Sequence, residues 1–125
     1  MVTEWRRFCE GSMDVKPGGD GLTVTFKNGR QHRIEVSPRP DLIELTGIVA
    51  RASVVSSIED VALAAWKRNR ATSIVGFRID KRGRLVGEAW VPNAGLTKDE
   101  FLFYVRGVGA ACDLFEFQLT GKDRE

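Results

Sequence analysis

One histidine, two cysteines, four prolines and a single tyrosine in 125 residues close off much chemistry before any motif is sought. A tetrahedral zinc site needs more soft ligands than one His and two distant Cys supply. A catalytic triad or Cys–His dyad needs its histidine within reach of a nucleophile. The sole candidate, His32, shares a strand face with Ile34 and Val36, the setting of a hydrogen-bonded core histidine. No apolar run approaches the roughly 18 residues of a membrane span. Glu4, Arg6 and Arg7 place charge where a signal peptide needs its apolar stretch. The expectation is a cytoplasmic protein with reduced thiols and no membrane contact. Nineteen Lys and Arg against seventeen Asp and Glu leave a net charge of only +2, too little for a dedicated polyanion binder. Neither Gly-rich nucleotide motif occurs, and Gly18-Gly19-Asp20-Gly21 has no following helix to hold a phosphate. The carboxylate pairs Glu59-Asp60 and Asp99-Glu100 fall in first helical turns, where anions complement the helix dipole. These absences point away from an enzyme and from any cofactor.

The chain does have the composition of a globular domain, 42% hydrophobic and 29% charged. At this length a single domain buries about two-thirds of its unfolded surface and needs no covalent staple. Lys16-Pro17-Gly18-Gly19-Asp20-Gly21 is the clearest break and reads as a linker. Residues 1–21 are therefore assigned to an N-terminal segment and linker, 22–120 to one domain and 121–125 to a tail. Within the first segment, residues 3–11 suit a short helix with Trp5 and Phe8 on one face.

Beyond the break the period becomes two. Leu22, Val24 and Phe26 alternate with Thr23, Thr25 and Lys27, and Asn28-Gly29 supplies a hairpin turn. The return strand places His32, Ile34 and Val36 on one face, and Pro38 and Pro40 mark a bend. Leu42 to Arg51 is apolar on both faces, the pattern of a strand that is central or lies under a partner. Ser56 with Glu59, and Ser57 with Asp60, resemble capping boxes opening a helix that carries Ile58, Val61, Ala62, Ala65 and Trp66 to Arg70. Ile74 to Asp80 and Leu85 to Val91 form a second hairpin around Gly83. Thr97 with Glu100 caps a last helix, with Leu96 and Phe101 as its staple. That helix is apolar enough to require cover on more than one side, and Gly107 and Gly109 suggest a close approach by another backbone. Cys112 reads as a small core residue and Cys9 as a half-buried residue of the terminal segment. The predicted class is α+β: an antiparallel sheet of about five strands with helices packed on it, in the order (α)-β-β-β-α-β-β-α.

The second half resembles the type III secretion chaperone-like fold and the related bacterial YbjN-like family. The residues that carry the likeness run from Ile74 to Leu119: a strand, the Asp80-Lys81-Arg82-Gly83-Arg84-Leu85 turn, a second strand, Pro92, the Leu96-to-Phe101 helix start and the Leu114-Phe115-Glu116 helix end. The resemblance covers about residues 22–120. The N-terminal helix, Trp5 to Glu10, is shorter here than the family's. The resemblance implies a non-enzymatic homodimer that holds a segment of a partner protein. An ordered sheet with apolar surface to spare can take such a segment by strand addition and side-chain pockets. Trp66, Phe77, Trp90, Ile43 and Leu45 are the candidates for a dimer or partner surface. The second reading is a small nucleic-acid-associated regulator. It rests on Lys67, Arg68, Arg70, Arg78, Lys81, Arg82 and Arg84, which cluster within eighteen residues.

Overall fold

The computed structural model describes residues 4–70 and 74–120. The N-terminal segment opens with a 3₁₀ helix, Trp5–Cys9, whose cap residue Glu4 accepts from the Arg6 amide at 3.3 Å. Trp5 is 2% exposed, and its ring and that of Phe8 lie 6.3 and 5.3 Å from Phe101. The predicted Trp5/Phe8 face is therefore part of the main core.

Six strands follow the order β1 (Val15–Gly18), β2 (Gly21–Thr25), β3 (Gln31–Pro38), β4 (Leu42–Ala50), β5 (Gly76–Ile79) and β6 (Leu85–Pro92). They form one antiparallel sheet in the spatial order β1-β2-β3-β4-β6-β5. Among the described residues three α-helices join them: α1 (Ala52–Val55), α2 (Val61–Asn69) and α3 (Lys98–Thr120). The α+β class is as predicted, with one strand more.

The extra strand lies in the stretch read as a linker. Val15 to Gly18 pairs with Gly21 to Val24, and Gly19, at φ +60°, makes the turn. A Cβ at Gly21 would run into the Ile34 carbonyl, so the glycines that suggested a break permit a tight hairpin beside β3. Pro17 fits because β1 is an edge strand and needs no amide on its outer side. The capping boxes at Ser56 and Ser57 are also absent. Both hydroxyls turn back onto carbonyls, of Ser53 at 3.1 Å and Val54 at 2.7 Å, and close the short α1. The second helix starts later, after Asp60 at φ +57°.

The capping box of α3 forms as predicted. Thr97 N–H donates to Glu100 Oε1 at 3.0 Å, and Glu100 N–H donates to Thr97 Oγ1 at 3.2 Å. The helix lays Phe101, Val105, Val108, Cys112 and Phe115 on one face of the sheet, against Leu22, Val24, Ile34, Leu45 and Phe77. It comes close at Cys112, where Gly47 and Gly87 stand opposite each other on β4 and β6. Of the two helical glycines, Gly107 admits the Ile74 side chain and Gly109 meets Val24 and Phe26. The close approach inferred there is made by side chains.

Candidate protein-binding surfaces

Strand alternation sorts the predicted surface residues. Ile43 and Leu45 are 0% exposed and Phe77 is 4% exposed. All three point from β4 and β5 into the core under α3, and the Phe77 ring meets Phe115 edge-on at 4.8 Å. They are core residues, which corrects their assignment to an interface. The two-sided apolar look of β4 has a simple origin. Ile43, Leu45, Gly47 and Val49 face α3, while Leu42, Glu44, Thr46 and Ile48 line the other face half-exposed.

Trp66 and Trp90 are exposed, at 56% and 63%. They line separate depressions. Trp90 stands on the sheet face away from α3, opposite Glu44 in register, in a depression of about 390 Å³ shared with Arg39, Asp41 and Leu42. Arg39 is anchored there on Glu44 at 2.6 and 3.0 Å. Trp66 lies on α2 beside β5, in a hollow with Ala62, Asn69, Phe77 and Ile79. The Arg70 guanidinium lies 5.2 Å from the centre of its ring.

The basic cluster is largely engaged within the fold. Arg78 donates to Glu88 at 2.8 Å, and this contact holds its pKa above the ordinary guanidinium value. Arg84 donates to Asp80 at 2.9 Å inside the β5–β6 turn. Arg68 lies 5.3 Å from the Phe115 ring centre. Lys67, Lys81 and Arg82 project from the end of α2 and the hairpin turn as exposed side chains.

A surface not singled out among the candidate residues lies on α3 itself. Phe103, Leu114 and Phe117 are 62%, 51% and 48% exposed, with Ala110 exposed between them. Positions 103, 110 and 117 recur every seven residues, so one helix face carries them. Beside this face, Val24, Phe26, Met13 and Ala110 line a groove of about 470 Å³. Met13 is 91% exposed at its edge. Arg106 forms a wall of the groove and is clamped by Asp14 at 2.8 and 2.9 Å. That hydrogen-bonded pairing raises the Arg106 pKa and lowers that of Asp14. The high apolar content of the last helix carried this signal, because the sheet covers only one side of it.

Both sheet edges are guarded against added strands. On β5 the Asn69 side chain takes the place of a neighbouring strand, accepting from Phe77 N–H at 2.6 Å and donating to Phe77 O at 3.0 Å. On β1, Pro17 has no amide to donate. Strand addition, expected from the resemblance, therefore has a poor template at each end.

The thiols are inert structural groups. Burial drives the Cys112 pKa up to about 12, and burial also raises that of Cys9 against the pull of Arg6 and Lys98. No described helix is long and apolar enough to cross a membrane.

No protein-family model matches the chain, and no curated protein matches it. Solved structures do. The crystal structure of YbjN from E. coli, a proposed transcription regulator, superposes with a TM-score of 0.63 over 93% of this chain and 88% of that one, at 16% identity. The HopA1–SchA chaperone–effector complex gives a TM-score of 0.43 at 16% identity, over 84% of this chain and 87% of that chain. An antiparallel sheet covered by one long C-terminal helix, and the extent of the match to YbjN, lead to the same place: the chain has the YbjN-like α+β fold.

Proposed function

We propose that this protein is a non-enzymatic, homodimeric protein-binding module, chaperone-like or regulatory, that holds a segment of a partner protein. The observation that carries the reading is the α3 belt. Phe103, Leu114 and Phe117 stand in solvent beside an apolar groove, on the side of α3 turned away from the core. Exposed contiguous apolar surface of this kind marks interaction sites. In this reading the groove takes apolar side chains of the partner segment. The Trp90 depression on the opposite face serves self-association, where a large aromatic beside an Arg–Glu pair has the make-up of an interface anchor. The chaperone–effector complex among the structural neighbours is one in which a partner is held, and the cytoplasm is the compartment assigned.

The test is a capture experiment with the wild type and a Phe103→Ser/Phe117→Ser variant, read by mass spectrometry with and without nuclease. A polypeptide retained by the wild type, lost by the variant and indifferent to nuclease is the expected result. Equal retention by both proteins overturns the assignment of the belt.

The second reading, a nucleic-acid-associated regulator, has one observation in its favour: YbjN is a proposed transcription regulator. Against it stand the ion pairs that hold Arg78 and Arg84. Were nucleic acid the ligand, affinity would fall steeply between low and physiological salt. The first reading requires a nearly flat salt response.

A further inference from the structure

The interface between β3 and α3 buries a polar cluster that core packing does not explain. His32 is 1% exposed, and its Nε2 lies 2.8 Å from the Ile48 carbonyl oxygen. A carbonyl only accepts, so Nε2 carries a proton, and the lone pair of the neutral ring falls on Nδ1. Among the described residues that atom has no hydrogen-bond partner. It lies 3.9 Å from Asp113 Oδ1, and one donor atom each from His32, Asp113 and Glu116 lie within 4.8 Å of one another. Asp113 and Glu116 are three residues apart on α3, so one helix face presents both. Glu116 is 0% exposed. A ring nitrogen and two carboxylates gathered in the interior favour positive charge beside them. Arg30 supplies some from the rim, where its Nη2 lies 3.2 Å from Asp113 Oδ1.

We propose that His32, Asp113 and Glu116 form a binding site for a divalent transition-metal ion of the Zn²⁺ class. One imidazole nitrogen and two carboxylate oxygens are a donor set that suits this ion. The outer hydrogen bonds have the form that metal ligands require. Nε2–H to a backbone carbonyl fixes the tautomer and aims Nδ1 inward, and the Arg30 bond holds the Asp113 carboxylate. Bonds of about 2.0–2.2 Å place tetrahedral ligands roughly 3.3–3.5 Å apart. The donors therefore close by about 1 Å on loading, within reach of side-chain rotation. Counting soft ligands along the sequence misses such a site, because its donors come from β3 and from α3, more than eighty positions further on. An ion there ties strand to helix across the core, and its binding energy adds to the stability of the folded chain.

The test uses the whole protein, stripped with EDTA and dialysed, then titrated with Zn²⁺ against a chromophoric chelator and separately with Co²⁺. The expected result is one ion per chain, with a dissociation constant of about 1 μM or below. Loading raises the Tm, and Co²⁺ gives a visible d–d band. Asp113→Asn and Glu116→Gln, which keep the side-chain shapes, each weaken binding by about 100-fold or more, beyond the loss of an outer-shell partner. Because His32 is the chain's only histidine, its ring ¹⁵N signals report ligation without assignment, even where a variant folds poorly. Zn²⁺ shifts the Nδ1 resonance if the site is real. Absence of stoichiometric binding, an unmoved Nδ1 signal, or binding unchanged in both variants overturns the proposal.

Discussion

Gly47 and Cys112 form a lock whose strength can be worked from the geometry. Cys112 enters the sheet where two glycines face it, and a Cβ built at Gly47 would lie 2.9 Å from Cys112 Sγ and 3.2 Å from Ile34 Cδ1. Carbon contacts are optimal at about 3.5–4.0 Å, so Gly47→Ala must push the helix or the side chains away. Overpacking of this kind costs about 1–3 kcal/mol, and alanine recovers about 0.5–1 kcal/mol because it is less entropic than glycine in a strand. The net loss is about 1–2 kcal/mol. Cys112→Ala alone removes one buried heavy atom and costs about 1 kcal/mol with its small cavity. Together the two changes complement each other, since the new methyl occupies the space the sulfur leaves. The double variant should then lie within about 1 kcal/mol of wild type, with a coupling of roughly 1–2 kcal/mol between the sites. Urea unfolding of the four proteins at one protein concentration, with m-values compared, measures this. Additive losses within about 0.5 kcal/mol would refute the claim that the glycine exists to admit the thiol.

Four further outcomes are expected. Trp90→Ala weakens self-association and leaves the monomer folded; sedimentation equilibrium checks this, and equal dimer dissociation constants for mutant and wild type count against it. Asp80 accepts from the Arg82 and Arg84 amides, each at 2.9 Å, and although burial alone would raise its pKa, these bonds and the Arg84 guanidinium lower it. The resulting stability is present above the unfolded carboxylate value of about 3.9 and is lost as pH falls through the lower folded value, so acid unfolding curves of wild type and Asp80→Asn should converge at low pH. Thr97→Ala removes the α3 cap and costs about 1 kcal/mol in thermal or urea unfolding, with no change in self-association. Neither Cys9 nor Cys112 should react with a thiol reagent at pH 8 until denaturant is added, since both are buried with raised pKa values; rapid labelling of the native protein would contradict their placement.

Legibility in the sequence followed how local each signal was. The α3 capping box, the Asn28-Gly29 turn, the inward face of His32, Ile34 and Val36, and the β5–β6 hairpin are set within a few residues and appear where predicted. The failures share a different cause. Pro17, Gly18 and Gly19 have the same composition in a linker and in an edge hairpin, and only pairing with β2 separates the two. Ser56 and Ser57 carry capping chemistry, but their hydroxyls found nearer carbonyls. Phe77, Ile43 and Leu45 were visible as large apolar residues. Which side of a strand faces a helix depends on the whole sheet, so their burial was not visible. The α3 belt was half-legible: its apolar excess is plain in sequence, but a helix covered on two sides and one covered on one side read alike.

The closure of the two sheet edges bears on how a partner can be held. A strand added at β5 would have to displace Asn69, which satisfies both backbone groups of Phe77, and one added at β1 would meet an amide missing at Pro17. Displacing Asn69 leaves its amide to find new partners and gains only backbone bonds that were already made, so the exchange is close to neutral. The groove beside α3 carries no such penalty. Its apolar lining is Val24, Phe26, Met13 and Ala110, and entry of an apolar side chain against these exchanges water for carbon at about 25 cal/mol per Å². The Asp14–Arg106 pair at its side is already internally satisfied and asks nothing of the occupant. On the proposed reading, a held segment is therefore recognised by the spacing of its apolar side chains and not by its backbone, and proline substitutions between those side chains should be tolerated where alanine substitutions of the side chains themselves are not.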